Sequence, residues 1–327
     1  MLQFSRRRLV LSAATAGLVF GLDRAVEIIP SALAQQGSGP TPLNLKGTKF
    51  HKFKVGEVEI IQIFDGAFER DHDPAYANNA SIDDVKAALR AAGLPDGKIL
   101  NSYTITFARL GGKLVMFDSG NGEGGLPFSG LLAENMKAAG IQHKDITNVV
   151  ITHFHPDHIF GLMTKANEQV YPDIEIMVPA AEYKFWVDPD TIAKLSPGRQ
   201  GLAKRIQATL PNWKNIKQYE ADTDVMAGIR SVSTYGHTPG HTSMLISSGS
   251  QQLMVMADVT NVPAMNMRNP GMHLAFDQDP KLAESNRRKI FDRVVADKVT
   301  CTGYHWGMPG AGTILKDGNG YALVPVV

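Results

Sequence analysis

The chain has one cysteine, Cys301, so no internal disulfide can staple it. That residue lies in the β-like run Val299-Thr-Cys-Thr-Gly-Tyr304, where a small buried side chain is expected rather than a metal ligand. An excess of either charge is lacking too, with 33 Lys and Arg against 32 Asp and Glu. Nucleic acid and anionic membranes therefore have no electrostatic attraction to it. The N-terminal apolar stretch, Leu9 to Leu22, falls short of the ~20 residues a membrane span needs and is cut by Asp23 and Arg24. Internal repeats and linkers are also missing.

What precedes that stretch is informative. Ser5-Arg6-Arg7-Arg8-Leu9-Val10 followed by apolar residues looks like a twin-arginine export signal, with Ala32-Leu-Ala34 as a small-residue cleavage site. We therefore expect a signal peptide over 1–34, a flexible lead over 35–49, and one large domain over 50–327, acting in the periplasm or after secretion. No stable membrane insertion is expected after cleavage. Loss of residues 1–34 removes four arginines and two acids and shifts the net charge from +1 to −1.

Histidine is concentrated in one place. The segment Ile151-Thr-His-Phe-His-Pro-Asp-His158 follows Asn148-Val-Val-Ile-Thr152, an apolar, β-branched run that reads as a buried strand. His153 and His155, two apart in extended chain, point the same way. Pro156 then breaks the strand, and Asp157 and His158 can turn toward a second point. Neutral imidazole and carboxylate suit Zn²⁺, with Fe or Mn as substitutes. Further polar residues also follow apolar runs: Gly-His237-Thr-Pro-Gly-His241 after Ile229 to Tyr235, Asp258 after Gln252 to Ala257, and His305 after Val299 to Tyr304.

The order H-x-H-x-D-H, then Pro-Gly-His-Thr, then Asp, then His resembles the metallo-β-lactamase superfamily, and Asp118-Ser-Gly120 is similar to its early Asp-x-Gly turn. The resemblance implies an α/β fold, a four-layer αββα sandwich with two Zn²⁺ at one edge. It implies His153, His155 and His241 on one metal, Asp157, His158 and His305 on the other, and Asp258 bridging them. A bridging aspartate distinguishes the pattern from the true β-lactamases. The ~20 residues after His305 leave no room for the helical substrate domain of glyoxalase II. The segment His305-Trp-Gly-Met-Pro-Gly-Ala-Gly, with Ala257-Asp-Val-Thr-Asn261 and Phe276-Asp-Gln-Asp-Pro280, is similar to methyl parathion hydrolase and periplasmic lactonase-like members. It departs from their usual residues at Asn261 and at Trp306-Gly-Met.

The expected function is a dinuclear zinc hydrolase that uses a metal-bridging hydroxide, acidified toward a pKa of about 7. Asp157 is the expected catalytic residue that orients the nucleophile and moves a proton, and His237 is expected to act by hydrogen bonding behind the metals or by fixing the Gly236–Gly240 turn. The alternatives are a β-lactamase-like amidase and an iron-dependent oxidoreductase of the same fold. Phe128, Phe154, Phe160, Trp306 and Met308 flank the ligand loops and are candidates for an apolar pocket. No Arg or Lys adjoins a metal motif, which favours small neutral esters, lactones or phosphotriesters as substrates over phosphomonoesters. A homodimer is common among the relatives that the resemblance brings in.

The coarse pattern predicts a first hairpin over 54–64, a capped helix Ser81 to Ala92 near the site mouth, and paired strands Asn101 to Phe107 and Lys113 to Phe117. Helices are expected over Ser129 to Ala139, Ala180 to Trp186 and Lys281 to Ala296, with a partly helical insertion over 188–216. Strands and helices are expected to alternate throughout.

Overall fold

Apolar residues occupy both phases of the strand repeat in this chain, so its sheets must be covered on both sides. A computed structural model, which describes residues 48–124 and 128–326, shows how. The expected signal peptide and nearly all of the expected lead lie outside the described residues. The first sheet holds β1 (Phe50–Val55), β2 (Val58–Arg70), β3 (Ile99–Leu110), β4 (Lys113–Phe117), β5 (Asn148–Val150), β6 (Glu175–Pro179) and β7 (Ile216–Tyr219), in that spatial order. The second holds β8 (Asp224–Met226), β9 (Ile229–Ser233), β10 (Thr242–Ser248), β11 (Gln251–Val255), β12 (Thr300–Thr302), β13 (Ala311–Asp317) and β14 (Gly320–Pro325), in the order β14-β13-β12-β11-β10-β9-β8.

The helices are α1 (Ile82–Ala91), α2 (Leu132–Ala138), α3 (Pro156–Ile159), α4 (Ala180–Val187), α5 (Thr191–Lys194), α6 (Pro197–Thr209) and α7 (Pro280–Ala296). Alternate residues of one strand enter different cores, as the two-residue period requires. In β4, Leu114 and Met116 pack with Met136 of α2, Trp186 of α4 and Ile206 of α6, whereas Val115 and Phe117 face Met244, Ile246 and Leu253 of the other sheet. In β11, Leu253 and Val255 face the first sheet, and Met254 packs with Ile290, Phe291 and Val294 of α7. The three cores separate four layers: helix, sheet, sheet, helix.

Several expectations are met closely. Ser81 caps α1 with the reciprocal Ser81–Asp84 bonds, and β3 pairs with β4 across Gly111–Gly112. Cys301 is fully buried, and burial pushes its thiol up. Strict strand–helix alternation is not observed. Strands β8 to β11 form an antiparallel run without helices, and β13–β14 is a further antiparallel pair, with tight turns at Gly228, Gly249 and Gly318 returning the chain at once in the hairpins β8–β9, β10–β11 and β13–β14. The first hairpin also extends further: β2 continues past a bulge between Phe64 and Gly66 to reach Arg70. Helix α1 packs against residues 262–274, and from segment 68–98 only Arg70 reaches the pocket described below.

The parallel pairs β4–β5, β5–β6 and β11–β12 bring carboxyl ends of strands from both sheets to one edge. There Thr242 N–H donates to the Thr152 carbonyl (3.1 Å) and Thr104 N–H to the Tyr304 carbonyl (2.8 Å), tying the sheets together.

Candidate metal centre

His153 and His155 leave β5, and their ring nitrogens Nε2 and Nδ1 lie 3.2 Å apart. His237, three residues past Thr234 at the end of β9, brings its Nε2 to 2.9 Å from His155 Nδ1. Three imidazole nitrogens so close suit a metal: ligands at about 2.0–2.1 Å in tetrahedral array sit roughly 3.3 Å from one another. Asp258 Oδ2 lies 3.2 Å from His237 Nε2 and 3.9 Å from His153 Nε2. A second set gathers on α3 and past β12, where Asp157 Oδ2 is 3.5 Å from both His158 Nε2 and His305 Nε2. Asp258 reaches this set too, with Oδ2 3.0 Å from His305 Nε2 and Oδ1 3.2 Å from His158 Nε2. His158 Nε2 and Asp258 Oδ1 are buried and make no hydrogen bond, as expected of atoms shaped for a cation.

Six of the seven ligands expected from sequence fall in these two sets, which His237 joins, and His241 lies beside the first of them. The His241 ring is turned so that Nδ1 meets Thr234 Oγ1 (2.8 Å) while Nε2 accepts the Asp258 backbone N–H (3.1 Å). Both nitrogens have hydrogen-bond partners, and the ring centre stands 4.9 Å from that of His153 and 5.5 Å from that of His237. His241 Nε2 thereby also meets the backbone that carries Asp258.

The other histidines are aimed from behind. His158 Nδ1 meets Asp118 Oδ2 at 2.8 Å, His237 Nδ1 meets Asp277 Oδ1 at 2.9 Å, and His305 Nδ1 donates to the Ser102 carbonyl at 2.7 Å. Asp118 also accepts from Thr152 N–H and Thr152 Oγ1–H, and Thr152 Oγ1 lies 3.0 Å from His153 Nδ1. The Asp-x-Gly aspartate thus supports both sets, and it holds φ +63° to do so.

Glu182, at the start of α4, gave no sequence signal. Its Oε1 accepts Phe154 N–H (3.0 Å) and Trp186 Nε1–H (2.7 Å), and its Oε2 accepts Gly240 N–H (2.7 Å). One buried carboxylate so clamps the loop of His153 and His155 to the loop of His237. A Cβ on Gly240 would lie 2.2 Å from Glu182 N, so only glycine allows the approach.

The two sets form the floor of a cavity of about 360 Å³, walled by Phe160, Leu202, Phe276 and Tyr103 and bordered by Arg70 and Arg199. Of the five expected apolar pocket residues, Phe160 alone lines it. Phe154 is in the core of the first sheet's outer face, Trp306 donates to the Thr260 carbonyl beside α7, and Phe128 is exposed. Asn261 lies in the pocket and donates to Asp258 Oδ2 at 2.8 Å.

The charges predict how metal uptake depends on pH. Burial holds His153 and His155 well below the ordinary imidazole value, in the neutral form that ligates. Burial also opposes charge on His237, but hydrogen bonds to Asp258 and Asp277 outweigh it and raise that group to about 9. Below that value a metal must displace the His237 proton. Because His158 and His305 are raised as well, affinity is expected to rise at least about tenfold per pH unit through neutrality. Chelator competition across that range measures it, and a flat profile would contradict proton displacement.

The comparisons with known proteins agree with this arrangement. A family model described as the metallo-β-lactamase superfamily matches residues 99–299. An N-acyl homoserine lactonase of a Bacillus species is 26% identical over 163 residues, covering 50% of this chain and 57% of the lactonase. The chain thus spans little more than half the length of the curated relatives it matches. Among solved structures, AidC, a dizinc quorum-quenching lactonase in complex with a product N-hexanoyl-L-homoserine, is 26% identical with a TM-score of 0.76, over 85% of this chain and 97% of AidC. The hydrolase AbOPH of the β-lactamase superfamily superposes with a TM-score of 0.79 at 24% identity, over 86% and 99% of the two chains, a likeness of fold. The family match takes in more than half of the chain and every converging donor except His305, and this chain belongs to the metallo-β-lactamase superfamily.

Proposed function

We propose that the protein is a two-metal hydrolase of neutral ester-type bonds, with lactones and esters as the leading substrates. The observation that carries this reading is the pair of donor sets sharing Asp258 on the floor of a substrate-sized cavity. His153, His155 and His237 would hold one Zn²⁺, Asp157, His158 and His305 the other, and Asp258 would serve both. When bound, the metals supply Lewis acidity and an acidified water.

The rest of the chemistry belongs to the chain. Burial opposes charge on Asp157, but His158 and His305 hold its carboxyl below the usual range, so it is ionised at neutral pH. Its side chain is 20% exposed, whereas Asp258 is 3% exposed, so Asp157 is the carboxylate that reaches into the pocket. It can orient a water and pass its proton to the departing oxygen. Phe160, Leu202 and Phe276 shed bulk water from the acyl chain. The likeness to AidC and to the Bacillus relative, both lactonases, supports lactones as substrates. Arg6-Arg7-Arg8 and the apolar run after them support export to the periplasm.

The test is a hydrolysis panel on protein of known metal content: short- and long-chain acyl-homoserine lactones, an aryl ester, a phosphotriester and a β-lactam. Turnover of lactone and ester with about two zinc ions per chain is the expected result. Iron without zinc together with oxygen consumption, or turnover of the β-lactam alone, would sink it.

A further inference from the structure

We infer that Arg70 and Arg199 form an anion-binding anchor in the metal pocket, so that the preferred substrates are esters or lactones bearing a carboxylate remote from the bond cleaved. This rests on the hydrolase reading above. Nothing in the sequence joins the two residues. Arg70 ends β2, Arg199 is in the first turn of α6, and the fold brings both to the cavity whose floor is His155, Asp157, Asp258 and His305.

Phe276 lies between them. The Arg70 guanidinium carbon stands 5.3 Å from the Phe276 ring centre and 5.4 Å from that of Tyr76, two cation–π contacts that use none of its N–H donors in hydrogen bonds. Arg199 Nη2 donates to the Phe276 carbonyl at 2.7 Å, which uses one of its five N–H donors.

Neither guanidinium forms an ion pair with an acidic side chain among the described residues. Asp277, the acid whose charge Arg199 feels, is already held by His237 at 2.9 Å and Arg287 at 3.0 Å. Both arginines are half-buried, so each has lost hydration that no counter-ion restores. A pair of planar, pre-positioned forks with unspent donors matches a carboxylate. The apolar walls between the arginines and the metal floor suit the chain that would join the carboxylate to the scissile group.

Two p-nitrophenyl esters of equal length test this, the hexanoate and the monoester of adipic acid, on metal-loaded protein. Wild type is expected to favour the adipate monoester by about tenfold or more in kcat/KM, mainly through KM. Arg199→Gln and Arg70→Gln are each expected to reduce that ratio about tenfold, and Arg199→Lys to keep most of it. Calorimetry with the uncleaved anilides of the same two acids gives a readout apart from turnover. The ratio of their affinities should fall in the Gln variants as the kinetic ratio does.

Equal treatment of both esters by wild type, or a preference that survives in both Gln variants, overturns the anchor. Hydrolysis without preference leaves the hydrolase reading standing and removes the anchor. Arginine-dependent binding of the carboxylate anilide without hydrolysis of either ester does the reverse.

Discussion

His237→Ala is expected to lower hydrolysis at least about a hundredfold and to leave the first donor set without stable metal. The variant removes the nitrogen 2.9 Å from His155 Nδ1 and 3.2 Å from Asp258 Oδ2, and leaves His153, His155 and Asp258 of that set. It also strands Asp277, which then has Arg287 alone as a close partner. His241→Ala makes the contrast. It deletes the acceptor of the Asp258 N–H and the ring beside Thr234, a buried loss of about 1–3 kcal/mol in stability, but no member of the two donor sets. Metal content by mass spectrometry, set beside denaturant melts, separates the two. If His241→Ala stripped the metal and His237→Ala retained it, the exchange of roles assigned to these histidines would be wrong.

Glu182→Ala is expected to produce the largest loss of stability, on the order of 3–5 kcal/mol. Three buried donors, Phe154 N–H, Trp186 Nε1–H and Gly240 N–H, would lose their acceptor together, and a cavity would open beneath α4. Because two of those donors belong to the loops of His153, His155 and His237, metal affinity should fall about 10–100-fold in whatever protein remains folded. Glu182→Gln distinguishes clamp from bulk. Its carbonyl can still accept from Phe154 and Trp186, but its amide meets the Gly240 N–H donor to donor. Stability and zinc affinity are both expected between those of wild type and Glu182→Ala. Equal zinc affinity in all three proteins would mean that Glu182 holds up the fold without setting the loops.

Much of the centre is legible in the chain because its ligands sit where rigid strands stop. His153, Asp258 and His305 each follow an apolar run, and β5, β11 and β12 lie where those runs predict them. The same rule, applied strictly, selects His237: it comes after β9, whereas His241 immediately precedes β10. The spacing of two histidines in one glycine turn does not reveal how each ring is turned. Glu182 has no comparable signature. In the first turn of a helix an acid reads as a solvated residue that favours the positive helix end, and only the contact with Gly240 shows that it is buried. The apolar pocket was similarly illegible, because nearness in sequence to a ligand placed Phe154 and Trp306 in cores on the far sides of the sheets.

By itself the sequence determined the kind of chemistry. The clustered histidines and aspartates specify metal donors, the doubly apolar strands specify sheets covered on both faces, and the lone cysteine excludes an internal disulfide. The tertiary structure decided which donors share a metal and what surrounds them. His155 and His237, and Asp157 and His305, meet across 82 and 148 residues of chain, and Arg70 and Arg199 line one cavity. Local patterns carry the direction of a side chain over a few residues. A 3 Å convergence of four strand ends depends on how two sheets pack and where glycine lets backbones touch, and only the folded chain contains that distance.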